Sequence, residues 1–400
     1  MIAESLCVSA ESRTEVRDKS SDDIDIHSLI LLAKEESVLS IVYESLRALA
    51  IDDEDKAFMD FTNKGTVTDF WQFMFIARDT LGLLSKNGIN AVILKGASVA
   101  RLYPVPESRK STDVDILLEN PEDFEKADRI LKNAGYVNED HSYANHHREY
   151  YTPDKRVMEL HSMAVEPTDN VKLNKYVSER FASIGSEIEK KKVLSVVLPV
   201  FTDGLQAFHL LLHMIMHFLG EGFGLKLLCD WVVFWNRKVE DGEVQKFLED
   251  VKNCGYEKFL AVLTGVCIRY LGLGVDGTGS LTESGNYIYY SGGVFCERLS
   301  SETEDEFMRE IIEGGKHKKS GTERMVALKG DGILDYIREF HHQTILSFPK
   351  AGRTIIALPV LYVIVLYRFL RNNRTVRGGQ SALGILKSAG ERSRLARKLF

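Results

Sequence analysis

Ser111-Thr112-Asp113-Val114-Asp115-Ile116-Leu117-Leu118 is the stretch on which the reading of this chain turns. Carboxylates alternate here with β-branched and apolar residues, a period of two that predicts a strand. Side chains two apart on a strand share a face, so Asp113 and Asp115 are neighbours. Like charges that close repel, and one would take up a proton unless a cation neutralised them. Carboxylate oxygens suit Mg²⁺, which keeps waters and accepts substrate phosphates as further ligands. The couple points to metal-assisted chemistry on a nucleotide.

Upstream, Ala91 to Leu94 is a short apolar run that predicts another strand, and Lys95-Gly96 ends it. Glycine there allows a tight turn and close backbone approach to a phosphate, while Lys95 brings a point charge for a triphosphate. Ala97 to Leu102 can open a helix, whose first N–H groups would favour an anion, and Pro104 and Pro106 stop it. Arg109 stands just before the acidic strand as a second candidate for the triphosphate. Downstream, Asn120-Pro121 starts a helix that Gly135 ends. Arg148 to Thr152 and Arg156 to Leu160 predict two more strands around a turn at Pro153. Glu159 lies on the second of them between apolar residues, an odd place for an unpaired acid, and is the best third carboxylate for a two-cation clamp. An Asp-x-Asp pair alone at a strand end is more often solvated or turn-capping than catalytic, and a Lys-Gly turn alone says little. The order strand, Lys-Gly, short helix, Leu-Tyr-Pro, Asp-x-Asp is much rarer by chance.

These residues resemble the bacterial nucleotidyltransferase-like family of the DNA polymerase β-type superfamily. The likeness lies in Leu94-Lys95-Gly96-Ala97, Arg101-Leu102-Tyr103-Pro104, Arg109, Thr112 to Leu118, Gly135-Tyr136 and Glu159-Leu160-His161. It continues in His209, His213 and His217 and in Leu227-Leu228-Cys229-Asp230, with weaker echoes at Glu313-Gly314-Gly315 and Leu358-Pro359-Val360. The resemblance covers about residues 40 to 370. It implies a mixed sheet flanked by helices, Mg²⁺ and an NTP, and leaves the acceptor open. Most of the superfamily carries Gly-Ser where this chain has Lys95-Gly96. The serine hydroxyl that usually touches the triphosphate is thus missing, although the Lys form is usual in this family.

His209, His213 and His217 recur every four residues, so on a helix they share a face. Three readings stand: a helix–helix contact from His213 or His217 to Asp230, a substrate pocket formed by His213, His217 and Asp230, or a transition-metal site. His161, two residues from Glu159, is the candidate to orient the metal site. His146-His147 reads as polar loop, with a place near Glu159 as the other option. Phe70, Trp71, Phe73 and Phe75 read as helical core rather than a base-stacking platform.

The expected fold is α+β: a polymerase β-type mixed sheet with an N-terminal helical cap and a C-terminal helical domain. Residues 1–25 predict a disordered tail, 26–87 a helical region, 88–200 the nucleotidyltransferase module, 201–370 a helical domain and 371–400 a basic tail. Helices are expected over His27–Glu36, Val38–Leu49, Lys56–Leu84, from Thr202, Leu225–Trp235, Val244–Val251, Lys258–Leu271, Glu302–Glu313, Ile333–Leu346 and Leu358–Leu370. Residues 272–295, rich in Gly and Ser, read as loop.

Net charge is -7, but residues 351–400 carry ten Lys or Arg and one acid, leaving an acidic body. An acidic body argues against general nucleic-acid binding. The basic tail could make weak contact with a membrane surface, RNA or the chain's own acidic body. Five cysteines without a CxxC pair suit a reducing, cytoplasmic setting, and no secretory signal is seen. Ile355–Leu366 is short for a membrane span and reads as a buried or interfacial helix. The expected function is Mg²⁺-dependent transfer of an NMP from an NTP, with Asp113, Asp115 and Glu159 holding the metal and pyrophosphate leaving. The alternative is a degenerate module of the same fold that binds a nucleotide or partner without turnover.

Overall fold

A computed structural model describes residues 25–49, 51–138, 147–168, 170–182, 184–219, 222–274, 277, 279–315 and 394–400, with 337, 340, 341, 344, 348, 358–365 and 367 between. The N-terminal tail, His146, the connection at 316–321, most of 333–346 and most of the basic tail lie outside them. The chain divides into one compact unit of residues up to 213 with 225–299, and a second of 214–224 with 300–400.

The first unit is built on a six-stranded mixed sheet. Its strands are β1 (Ala91–Ile93), β2 (Val114–Leu118), β3 (His147–Tyr151), β4 (Val157–His161), β5 (Ile188–Val193) and β6 (Val196–Phe201), in the order β3-β4-β2-β1-β6-β5. β2 runs parallel to β4 and antiparallel to β1, and β1 runs parallel to β6. The expected α+β mixed sheet is therefore present.

Before the sheet come α1 (Ile26–Glu35), α2 (Tyr43–Arg47) and the 34-residue α3 (Asp53–Lys86). α3 begins where Asp52 accepts a hydrogen bond from the Asp55 N–H at 2.8 Å, followed by three acids that suit the positive end of the helix dipole. It ends at Gly88, whose φ of +72° lets the Gly88 and Ile89 N–H groups return to the Ser85 and Leu84 carbonyls. The helix expected over Val38–Leu49 is shorter. Ser37 turns with φ +60°, and Val38 to Val42 form a buried turn before α2.

The pleat sorts the sheet into two faces. Val114, Ile116, Leu118, Met158, Leu160 and Tyr150 point to one, where Phe70, Phe73, Met74, Ala77 and Leu81 of α3 cover them. Ala127 and Leu131 of α5 (Phe124–Asn133) join that core; α4 (Ala97–Ala100) is a single turn between β1 and β2. Of the four α3 aromatics, Phe70 and Phe73 are buried and Trp71 packs against the core, whereas Phe75 is exposed. The alternate residues Asp115, Glu159, His161 and His147 take the opposite face.

Three elements went unread in the sequence. α6 (Val171–Phe181) is capped by Asn170, which accepts from the Leu173 N–H. The hairpin β5–β6 adds two strands, with Lys190 to Lys192 on the sheet's edge, where charge discourages pairing with another chain. Residues 282–297 are not loop but a three-stranded antiparallel sheet, β7 (Thr282–Ser284), β8 (Tyr287–Tyr290) and β9 (Gly293–Glu297). Buried Ile288 and Phe295 supply its apolar side.

Beyond the sheet come α7 (Asp203–Leu219), α8 (Leu225–Trp235), α9 (Asp241–Cys254) and α10 (Glu257–Leu271). Within the second unit, Phe307 of α11 (Ser301–Gly315) stacks on Phe218 at 5.3 Å, and Lys398 pairs with Glu306 at 2.6 Å. Residues 358–365 are helical, as expected. No helix among the described residues is long and apolar enough to cross a membrane.

Candidate functional site

The site grows from register. Parallel pairing of β2 with β4 sets Asp115 beside Glu159, and the period of two carries His161 onto the same face. His161 Nε2 lies 3.3 Å from Asp115 Oδ1 and 3.2 Å from Glu159 Oε2. Lys95 Nζ approaches the same Asp115 oxygen at 3.3 Å. Asp115 is 2% exposed, so these cations are what make its burial tolerable.

The charges shape one another. Burial opposes the Asp115 carboxylate, but Lys95 and then His161 hold its pKa below the usual range. Half-buried Asp113, one residue before β2, is pushed up to about 6 by burial and by the Asp115 charge. Burial works against the Lys95 and His161 cations, yet their acidic neighbours hold both above their ordinary values. Three carboxylates meet here beside the Lys95 and His161 cations, and their oxygens are the donors that suit a hard divalent ion such as Mg²⁺.

Lys95 is aimed by its turn. Gly96 adopts φ +65°, ψ −107°, which an L side chain rarely takes. The requirement is conformational, since a Cβ there would meet nothing nearer than Ser111 Oγ at 3.8 Å. That places the Ser111 hydroxyl near the corner where a Gly-Ser sequence would carry its own. The Leu94 carbonyl before the turn accepts from Gln206 Nε2 of α7 at 3.0 Å and from Ser98 Oγ at 3.3 Å. The helix end expected to favour an anion is reduced to the four residues of α4. Its Val99 and Ala100 N–H groups donate to the Gly96 carbonyl, so they serve the turn itself.

Arg109 lies elsewhere than its sequence position suggested. Its Nε and Nη2 each donate to Asp230 at 2.7 Å, and Nη1 donates to Ser111 at 3.2 Å. Tyr103 donates to the same Asp230 carboxylate at 2.7 Å. Arg109 is 3% exposed and Asp230 1%, so the guanidinium anchors α8 beside the sheet and is enclosed rather than presented to a triphosphate. Asp230 is thus held by Arg109 and Tyr103, where the helix–helix reading expected His213 or His217 as its partner. Glu36 fixes the start of α8 by accepting from the Leu225 N–H at 2.8 Å.

The histidine ladder divides. His209 is buried between Phe181 and Phe201, with ring centroids at 6.3 and 5.9 Å, and its Nδ1 has no partner among the described residues. His213 stacks on it at 6.3 Å, and His217 falls in the second unit. Burial, then the Lys95 charge, pushes His209 down to about 4. The unfolded chain takes its proton near 6.5, so folding stability from this group is complete above that pH and is lost as pH falls toward 4. The wild type should lose up to about 3 kcal/mol across this window through His209. Urea unfolding of His209→Leu at pH 7 and 4.5 should show a correspondingly shallower acid loss; an unchanged loss would refute a buried neutral imidazole.

One further residue escaped the sequence reading, and another took the second of its two readings. Half-buried Lys226, on α8 among apolar neighbours, is pushed down to about 8 by burial and by Arg109, with Asp230 and Asp113 pulling the other way. A lone cation in the apolar run Leu225–Trp235 was the available signal. His147 is not in the loop that was its first reading but near Glu159, its second: it lies on β3 opposite His161, with ring centroids 5.2 Å apart.

No curated protein matches the chain. A family model described as "Uncharacterised nucleotidyltransferase" matches residues 22–272, taking in α1 to α10, the whole six-stranded sheet and every carboxylate of the cluster. That match spans more than half of the sequence, and with the cluster in place the chain belongs to this uncharacterised nucleotidyltransferase family.

Proposed function

We propose that the chain transfers a nucleoside monophosphate from an NTP to an acceptor, with pyrophosphate as leaving group. The observation that carries this reading is the register pairing of Asp115 with Glu159, with Asp113 one pleat away and Lys95 3.3 Å from Asp115. Mg²⁺ held by Asp113, Asp115 and Glu159 would neutralise phosphate charge and polarise the α-phosphate. Lys95 and the Gly96 backbone orient the triphosphate, Ser111 offers a hydroxyl beside them, and Lys226 adds a cation from α8. Arg109 and Asp230 act by fixing that helix. An acceptor hydroxyl or other nucleophile attacks the α-phosphorus, the bond to the bridging oxygen breaks, and its electron pair leaves with pyrophosphate.

The acidic body favours a small molecule or a protein as acceptor over a long nucleic acid. Four described cysteines are free thiols, which supports a reducing compartment such as the cytoplasm.

Full-length protein incubated with each NTP, Mg²⁺ and a pool of metabolite and protein acceptors should release pyrophosphate and move nucleotide label into an acceptor. Both should stop when EDTA replaces Mg²⁺. Nucleotide binding without any pyrophosphate from any NTP would instead favour the degenerate binding module.

A further inference from the structure

The face that carries Asp115 also carries a second donor set of different chemistry. His147 lies opposite His161 in the antiparallel β3–β4 pair, and Glu159 lies two residues before His161. All three side chains therefore leave the sheet on one side, as a consequence of backbone register and not of one rotamer choice. One ligand atom from each lies within 4.8 Å of the others. The His161 Nε2 to Glu159 Oε2 separation of 3.2 Å already matches the edge of a tetrahedron built on bonds of about 2.0–2.1 Å, which is about 3.3 Å, with the ion taking the place of the proton on Nε2. His147 stands on the sheet's edge strand and is half-buried, so a small side-chain rotation can close the remaining distance.

Two imidazoles and one carboxylate are not a magnesium set. Mg²⁺ prefers oxygen and dehydrates reluctantly, whereas imidazole nitrogen suits Zn²⁺, Cu²⁺, Fe²⁺ and Ni²⁺. Three protein ligands with a fourth position open is the pattern of a reactive rather than a purely structural zinc site. Glu159 has two carboxylate oxygens, so it can serve this set and still face Asp115.

We propose that His147, Glu159 and His161 form a binding site for a borderline first-row divalent cation of the Zn²⁺ class, adjoining the aspartate couple. The site shares Glu159 with the proposed nucleotidyl-transfer centre but does not require that activity. Through that shared carboxylate it brings a second ion next to the phosphates, the arrangement of a mixed-metal clamp.

The test reads metal binding without nucleotide. Full-length protein, stripped with chelator and kept in excess Mg²⁺, is titrated with Co²⁺ and followed by visible absorption, then with Zn²⁺ in competition. One equivalent of Co²⁺ should give an intense low-coordinate band that Zn²⁺ removes. His147→Ala and His161→Ala should weaken binding by more than about a hundredfold, beyond the 10–100-fold effect of losing a residue that only orients a ligand. Asp113→Asn should keep the band. Circular dichroism checks folding, and His147→Gln replaces the alanine variant if that one does not fold. Unchanged binding in the His147 variants, no band in the wild type, or equal loss in Asp113→Asn would overturn the site. Because nucleotidyl transfer is assayed separately with Mg²⁺ alone, failure here leaves that reading standing, and the converse holds.

Discussion

Asp115→Asn should lower the rate of nucleotide transfer by about a thousandfold or more, while the far-ultraviolet circular dichroism stays that of the wild type. Asparagine keeps the shape of the side chain and removes its charge. That charge lies 3.3 Å from both Lys95 and His161, at the centre of the acidic row. A carboxylate lost from a divalent clamp removes several kcal/mol of transition-state stabilisation, and about 1.4 kcal/mol corresponds to a factor of ten. The loss should appear mainly in kcat, because in the proposed reaction Lys95 and the Gly96 turn would still hold the triphosphate. Near-normal turnover in a folded Asp115→Asn protein would remove the carboxylate row from the mechanism.

The largest stability effect is expected at Arg109. Its two hydrogen bonds to Asp230, both 2.7 Å, join the segment before β2 to α8 in a dry environment. Removing one member of such a pair leaves a buried charge uncompensated and costs about 3–5 kcal/mol. Arg109→Ala and Asp230→Ala should each lower the urea midpoint of the first unit strongly. The double variant Arg109→Ala/Asp230→Ala should be less destabilised than the sum of the single changes, because it removes both charges together. Strict additivity would mean that the pair contributes no coupling. Lys226 and Asp230 share α8, so milder substitutions at Arg109 should raise KM for the NTP as that helix loses its anchor.

Local chemistry made much of this legible in advance. The alternation through Asp113–Leu118, the stops at Gly88 and Gly135 and the apolar run Leu225–Trp235 each encode one element within a few residues, and each formed where expected. The meeting of Asp115 with Glu159 could be anticipated because both sit between apolar residues on strands. Arg109 misled because its partner lies 121 residues away, and a cation before an acidic strand looks the same whether it faces a phosphate or a buried aspartate. His147 was hidden in a polar run whose strand character comes from pairing with β4. Lys190 to Lys192 disguised β5, since an edge strand needs charge rather than an apolar face. The Gly-rich composition around β7 to β9 carried the turns and masked the short strands between them. What stayed unread is in each case information held by a distant partner.

The strand order also bears on how the chain is made. β1 emerges from the ribosome first of the six, yet its parallel neighbour β6 is synthesised about a hundred residues later. At typical elongation speeds of about 5–20 residues per second, one border of the nascent sheet stays open for several seconds. Long α3, complete before β1 appears, is available throughout to shelter the greasy underside of the growing sheet. A nascent chain released before β6 would therefore carry the acidic row but present an unsealed edge, and aggregation of such fragments should outpace their folding.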